Sequence, residues 1–248
     1  MKIIAIYSNK GGVGKTATAV NLAYAVSRLG NRTLLCDLDS QGAAGYCFRI
    51  ESKKKFSKKK LLKGQLLKFI RGTDYENLDL LPSNISFRHL DLALGQSTVP
   101  DKRLILQKVF AGLQGEYDVL VLDCPPTLTL LSENIFTAAT SIVIPVVPTT
   151  LSILALRQLM TVFKKMGVGR KKIVPFFSMV EKKNKLHEKT VNNYKKYQVF
   201  LKTAIPYAAQ VERMGLYRSP VAVTQPNSEI ALLYMGLQLE IWKRSRES

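Results

Sequence analysis

The chain is poor in the residues that tie a small fold together or hold a metal. Its 248 residues contain three cysteines, Cys36, Cys47 and Cys124, with no C-x-x-C spacing. That excludes a disulfide framework and gives no zinc-ribbon or thioredoxin-like pattern. Two of the three adjoin aspartates at the ends of apolar runs, and all three read as reduced thiols of the core. Only two histidines occur, His89 and His187, too few and too far apart for a ligand cluster or a triad. No apolar run approaches the roughly 18 residues of a membrane-crossing helix. The first residues enter an apolar strand pattern without signal-peptide composition, so a cytoplasmic protein is expected. Acidic side chains are scarce as well: 18 Asp and Glu face 37 Lys and Arg, a formal net charge of +19.

What the chain does have is glycine where a phosphate needs it. Lys10-Gly11-Gly12-Val13-Gly14-Lys15-Thr16 sets three glycines between two lysines and ends on a hydroxyl. Glycines let backbone N–H groups turn inward around an anion, a lysine reaches the terminal phosphates, and a hydroxyl suits Mg²⁺. Gly12, Gly14, Lys15 and Thr16 supply those parts. The flanks agree, since Lys2-Ile3-Ile4-Ala5-Ile6-Tyr7 reads as a buried strand. Thr16 to Arg28 reads as a helix with Ala19, Val20, Leu22, Ala23 and Val26 inward. A strict G-x-x-x-x-G-K-[ST] pattern would need glycine at position 9, where Asn9 stands.

After the second strand, which ends at Asp37, short apolar runs predict strands at 78–81, 119–123, 141–147, 172–178 and 202–205. Helical spacing appears at 103–113, 132–139, 151–166, 188–197 and 228–244. Apolar runs without alternation imply strands buried on both faces, and no Pro/Ser/Gly linker divides them. The expected architecture is α/β, a single-domain P-loop NTPase fold over 1–248 with a mostly parallel twisted sheet and helices on both faces. Ligands of such sheets sit at the carboxyl ends of the strands. The glycine loop, Asp37-Leu38-Asp39 and Asp123 all fall there. Asp123 closes an apolar strand, where an unpaired carboxylate is costly, and so suits Mg²⁺ held through water. Asp37 and Asp39 also fit the plainer role of turn former or helix N-cap.

The charge is localised. Residues 49–72 hold ten Lys or Arg and one acid, Glu51; residues 164–202 hold twelve against Glu181 and Glu188. The two runs carry the whole excess and leave the rest of the chain neutral. Such runs are either solvated faces or polyanion-binding surfaces, and their concentration favours nucleic acid. Ser52 to Lys60, Ser-Lys-Lys-Lys-Phe-Ser-Lys-Lys-Lys, lacks a helical apolar stripe and is expected to be a mobile loop. Lys182, Lys183 and Lys185 follow a scaffold strand and are expected to matter more, because a mobile loop loses more entropy per contact. No helix-turn-helix, zinc finger or aromatic RNA-binding motif accompanies the runs, so binding should be non-specific.

K-G-G-x-G-K-T, together with Asp37-Leu38-Asp39-Ser40-Gln41-Gly42 and Tyr117-Asp118-Val119-Leu120-Val121-Leu122-Asp123-Cys124-Pro125-Pro126, resembles the three signatures of the ParA/MinD family of deviant Walker A ATPases. It is most similar to the Soj-like ParA partition ATPases. The resemblance implies ATP and Mg²⁺ as cofactors. It places nucleotide on Lys10, Gly11, Gly12, Val13, Gly14, Lys15, Thr16 and Ala17, and the metal on Thr16, Asp37 and Asp123. Lys10, Lys15 and Asp39 would be catalytic, with Asp39 positioning the attacking water and Lys10 reaching the nucleotide of a partner subunit. Gly12 would stay small because that subunit approaches it.

Met179 and Pro206 are implied adenine contacts, although core packing explains them equally well. Implied partners are a second copy of the chain with ATP, non-specific double-stranded DNA and a ParB-like adaptor that stimulates the ATPase. A nucleoid-associated location follows, and no membrane is expected. DNA contacts would fall on Lys182, Lys183, Lys185, Arg213 and Arg218. Ser40 and Ala43 depart from the proline and asparagine common in the family, which predicts a less rigid loop. Tyr207 stands where a basic residue often follows the late Ile-Pro. A MinD-like membrane switch would need an amphipathic anchor after the last helix. Here Ile230, Leu233, Leu237, Ile241 and Trp242 have core spacing, and only Lys243 to Ser248 follow. A small-molecule kinase would not require Lys10. A GTPase would need Asn-Lys-x-Asp, which Asn184-Lys185-Leu186-His187 does not supply.

Overall fold

Four- to six-residue runs with no polar interruption are satisfied only where both faces of a strand are covered, and that is how this chain uses them. The structure, a computed structural model, describes residues 1–195, 197 and 199–246. Lys196 of the second basic run and the last two residues of the expected tail lie outside the described residues. The strands are β1 (Lys2–Ile6), β2 (Thr33–Asp37), β3 (Arg71–Gly72), β4 (Leu78–Leu81), β5 (Val119–Asp123), β6 (Ser141–Val146) and β7 (Ile173–Phe177). Among the described residues they form one seven-stranded sheet in the order β3-β4-β2-β5-β1-β6-β7. Every pairing is parallel except that of the edge strand β3 with β4.

The helices are α1 (Lys15–Ser27), α2 (Ala43–Cys47), α3 (Lys58–Leu62), α4 (Leu90–Gly95), α5 (Ile105–Ala111) and α6 (Leu130–Ala138). They continue with α7 (Thr150–Met166), α8 (Lys185–Lys195), α9 (Ala209–Glu212), α10 (Met214–Tyr217), α11 (Val221–Thr224) and α12 (Glu229–Arg246). Strand alternation sends Ile3, Ala5, Leu120 and Leu122 to one face, against Phe110 of α5, Phe136 of α6 and Phe163 of α7. Ile4, Ile6, Val119 and Val121 face the other way, against Val20 and Leu22 of α1 and Leu237 and Ile241 of α12. All three cysteines are free and buried. No helix among the described residues is long and apolar enough to cross a membrane.

Two sequence expectations fail. Residues 202–205 form no strand: the segment runs beside β7 through single backbone hydrogen bonds, and only Pro206 makes an isolated bridge, to Val180. The Glu240 carboxylate takes the N–H groups of Lys202 at 2.7 Å and Thr203 at 2.9 Å, so no continuous ladder forms over the segment. The lysine-rich stretch 52–60 is not a free loop either. Phe56 is 1% exposed, stacks on Phe69 at 4.7 Å and meets Phe87 edge-on at 5.5 Å. The next residues wind into α3, whose Leu61 is buried in the same cluster. One aromatic residue among six lysines was enough to anchor the segment, although it makes no periodic stripe.

Candidate functional site

Strand order brings the three sequence motifs together. β5 lies between β1 and β2, with Asp123 in register with Ile6 on one side and with Asp37 on the other. The glycine loop leaves β1 at this edge and opens directly into α1. Gly12 and Gly14 have φ of 68° and 86°, a left-handed conformation that turns N–H groups inward and that glycine adopts without strain. A Cβ on Gly14 would lie 3.2 Å from Ser178 Oγ at the end of β7, whereas one on Gly12 would meet nothing within 4 Å. Within one chain, Gly12 is therefore required by its backbone conformation and not by crowding.

The two lysines of the loop are held differently. Lys15 is buried at the start of α1, and its Nζ donates to the Lys10 carbonyl at 3.1 Å. Burial lowers its pKa, and nearby Asp123 and Asp39 pull the other way. Lys10 Nζ donates to Ser152 Oγ at 2.9 Å, and Ser152 is also bonded to Thr149 at the start of α7. Sequence reasoning missed Ser152. Its only signal was the Thr149-x-x-Ser152 spacing of a helix N-terminus.

The aspartates differ in how well they are satisfied. Asp37 is buried, and its two oxygens accept the N–H groups of Asp39 at 3.1 Å and Gly45 at 3.3 Å. Gly45 must be glycine to come this close, since a Cβ there would lie 2.8 Å from the Ile50 carbonyl. Burial first, and the neighbouring Asp123 second, hold the Asp37 carboxyl well above the usual carboxylate range. Asp123 is 1% exposed, and neither of its oxygens has a hydrogen-bond partner among the described residues. Burial pushes its pKa up to about 7. The Thr16 hydroxyl favours its charged form without meeting hydrogen-bond geometry. A buried carboxylate pair with two orphaned oxygens is costly unless a cation joins it. The donor set Thr16, Asp37 and Asp123 is all oxygen, which suits Mg²⁺. Asp39 is only partly buried, and its Oδ1 accepts the Gln41 N–H at 3.0 Å in a short turn closed by Gly42 N–H to the Asp39 carbonyl.

The remaining candidates cluster at the β7 end of the site. Met179, with φ 55°, and Pro206 flank Val180. Pro206 lines an open pocket of about 550 Å³ shared with Lys182, Lys183, Tyr207 and Glu229. Two of the expected DNA contacts thus share a pocket with an expected adenine contact. Lys182 is paired with Glu229 at 3.0 Å, and Lys183 and Lys185 are exposed. Arg213 is exposed, but Arg218 donates to the Tyr46 carbonyl at 3.0 Å and lies over the Tyr46 ring, which ties the C-terminal part of the chain to α2.

This arrangement is a phosphate-loop nucleotide site with a second lysine at its lip. A family described as an AAA domain (AAA_31) matches residues 1–174. The sporulation initiation inhibitor protein Soj of Bacillus subtilis is 31% identical over 252 residues, covering 97% of this chain and 98% of Soj. The chain belongs to the ParA/MinD family of deviant Walker A ATPases, on its Soj-like side. Among solved structures, a plasmid partition protein of Borrelia burgdorferi bound to AMPPNP superposes with a TM-score of 0.81 at 24% identity, covering 99% of this chain and 98% of its own. Cobyrinic acid a,c-diamide synthase of Mycobacterium smegmatis, solved with an ATP analogue and magnesium, gives 0.79 at 24%, covering 98% and 96%. Both likenesses establish the fold of this family member and leave its chemistry to its own residues.

Proposed function

We propose that the chain is an ATP-dependent dimerising ATPase that binds DNA non-specifically in its ATP state and so positions or segregates a plasmid, a chromosome region or other cargo, with residues 1–248 acting as one ATPase domain. The observation that carries this reading is the convergence, on three adjacent strand ends, of a lysine-flanked glycine loop and two buried aspartates. Membership of the Soj-like family supports it, and the nucleotide bound by the Borrelia neighbour supports the choice of ligand.

Phosphoanhydride hydrolysis needs charge neutralised around the γ-phosphate and a water held in line. The backbone of Gly11, Gly12, Val13, Gly14, Lys15, Thr16 and Ala17 cradles the phosphates, and the Lys15 ammonium reaches the β- and γ-groups. Thr16, Asp37 and Asp123 hold Mg²⁺, which when bound neutralises phosphate charge. The orphaned Asp123 oxygens fit that role. Asp39, at the partly exposed rim of the site, holds the attacking water. Met179 and Pro206 flank the base. Lys10 leaves Ser152 to reach the partner's nucleotide, exchanging a bond to a neutral hydroxyl for a stronger charge-assisted one to phosphate. Lys183, Lys185 and Arg213 are free to meet DNA phosphates, and Lys182 and Arg218 join them once released from Glu229 and Tyr46. A ParB-like adaptor stimulates turnover, and DNA binding gives the protein its nucleoid-associated location.

The test compares retention of an arbitrary duplex by the ATP-bound and ADP-bound protein. Tighter retention with ATP, indifferent to sequence, supports the proposal. Equal retention in both states, or better binding of the ATP form to anionic vesicles than to duplex, overturns it.

A further inference from the structure

The two basic runs sit at opposite edges of the sheet. Residues 49–72 lead into β3, and residues 164–202 surround β7. Six strand spacings of about 4.8 Å separate these edges, roughly 29 Å. At the β7 edge Lys182 is taken by Glu229, and Lys182 and Lys183 line the pocket beside Pro206, whereas Lys183, Lys185 and Lys189 are exposed without an acidic partner among the described residues. At the β3 edge Lys53, Lys54, Lys55, Lys59, Lys60 and Lys63 are all exposed, and no acidic side chain pairs with any of them among the described residues.

The β3-edge lysines are also held in place. Phe56 is buried at their centre, Lys58 N–H donates to Ser86 Oγ at 2.9 Å, and Lys53 Nζ donates to the Lys68 carbonyl at 3.2 Å. Unpaired like charges fixed side by side repel one another. The segment nevertheless keeps that arrangement in the free protein, so a polyanion meets a surface whose ordering cost is already met by the Phe56 cluster.

We propose that this β3-edge lysine patch is a duplex-DNA docking surface in its own right, built within each subunit and presented whether or not nucleotide is bound. The proposal rests on the DNA-binding part of the reading above and changes where that binding begins. Double-stranded DNA fits better than the other polyanions. Single strands are held by exposed aromatic side chains that stack on bases, and both aromatics of the run, Phe56 and Phe69, are buried. A membrane surface is held by apolar side chains inserted beside the charges. Here the aromatics point inward, and Leu67 is the one strongly exposed large apolar side chain of the run. Lysines at the phosphate backbone need neither feature, and they carry no sequence information.

The experiment titrates a 30-base-pair duplex with nucleotide-free full-length protein across a salt series, using the wild type, Lys53→Gln/Lys54→Gln/Lys55→Gln, the same triple to Arg, and Lys182→Gln/Lys183→Gln/Lys185→Gln. The expected result is measurable binding without nucleotide. Its log–log salt slope should become shallower by about 2.7 in the 53–55 Gln triple, from about 0.9 per lost phosphate contact, and should stay at the wild-type value in the Arg triple and in the 182–185 triple. An unchanged melting temperature confirms that each variant is folded, and the two 53–55 triples should also keep wild-type ATP binding. If the 53–55 Gln triple keeps the wild-type slope while the 182–185 triple flattens it, this proposal is overturned and the DNA-binding reading stands. Duplex binding seen only with ATP overturns the nucleotide-independent patch in the same way. Absence of duplex binding in every nucleotide state overturns both. Preference of the wild type for single strands or for phosphatidylserine vesicles over duplex replaces DNA docking by the other class of partner.

Discussion

A buried aspartate with no partner should make the nucleotide-free protein more stable in mild acid than at pH 8. Asp123 rises from an ordinary 3.8 to about 7, chiefly through burial. A carboxyl whose folded pKa exceeds its unfolded one contributes stability that is complete below about 3.8 and is lost as the pH rises through 7. At 1.36 kcal/mol per unit, the part of that interval between pH 5 and 7 amounts to about 3 kcal/mol. For a chain of this size that corresponds to a melting-temperature difference on the order of 8 °C. Asp37, raised by the same burial and by Asp123 itself, adds in the same direction. The assay is thermal unfolding of nucleotide-free protein between pH 5 and 8, with and without Mg²⁺ and ATP. Melting temperature should fall as the pH rises, and Mg²⁺ with ATP should flatten the curve by giving the carboxylates a cation. Asp123→Asn should remove most of the dependence, the part that survives belonging to Asp37. A melting temperature that is flat over this range, or that rises toward pH 8 without nucleotide, would refute the placement of an unpaired carboxyl at the end of β5.

Asp39→Ala should bind ATP normally and turn it over at least about 100-fold more slowly, as expected for loss of a water-positioning carboxylate, so that an ATP-bound dimer accumulates in light scattering. Near-normal turnover would move the role to another residue. Gly14→Ala should abolish nucleotide binding and cost about 1–2 kcal/mol of stability, because an L-residue is strained at φ 86° and its methyl would crowd Ser178 Oγ at 3.2 Å. Calorimetric ATP titration and chemical denaturation read the two effects separately.

The parts of the site visible in the sequence were those with local signatures. A glycine loop between an apolar strand and a helix declares itself over seven residues, and aspartates at the ends of apolar runs declare the strand termini. The architecture followed from runs buried on both faces, and β1, β2, β4, β5, β6 and β7 lie within a residue or so of their expected positions. Contacts between distant residues left no such mark. Ser152 under Lys10, Glu229 on Lys182 and Tyr46 on Arg218 lie 142, 47 and 172 residues from their partners, and only the folded chain brings them together. The anchoring of residues 52–60 was hidden for another reason: a single phenylalanine fixed by two others from elsewhere in the chain produces no period. Composition alone therefore overstated the mobility of the lysines around it.

The account turns on two lysines five residues apart doing different things, and sedimentation with ATP measures that most directly. Lys15 is turned into its own loop, whereas Lys10 rests on Ser152 and is free to exchange it for a partner's phosphate. With Mg²⁺ and ATP, the wild type should sediment as a dimer. Lys15→Ala should stay monomeric because it binds no nucleotide, and Lys10→Ala should bind ATP with near-normal affinity yet also stay monomeric. A Lys10→Ala protein that dimerises with ATP as the wild type does would contradict the account.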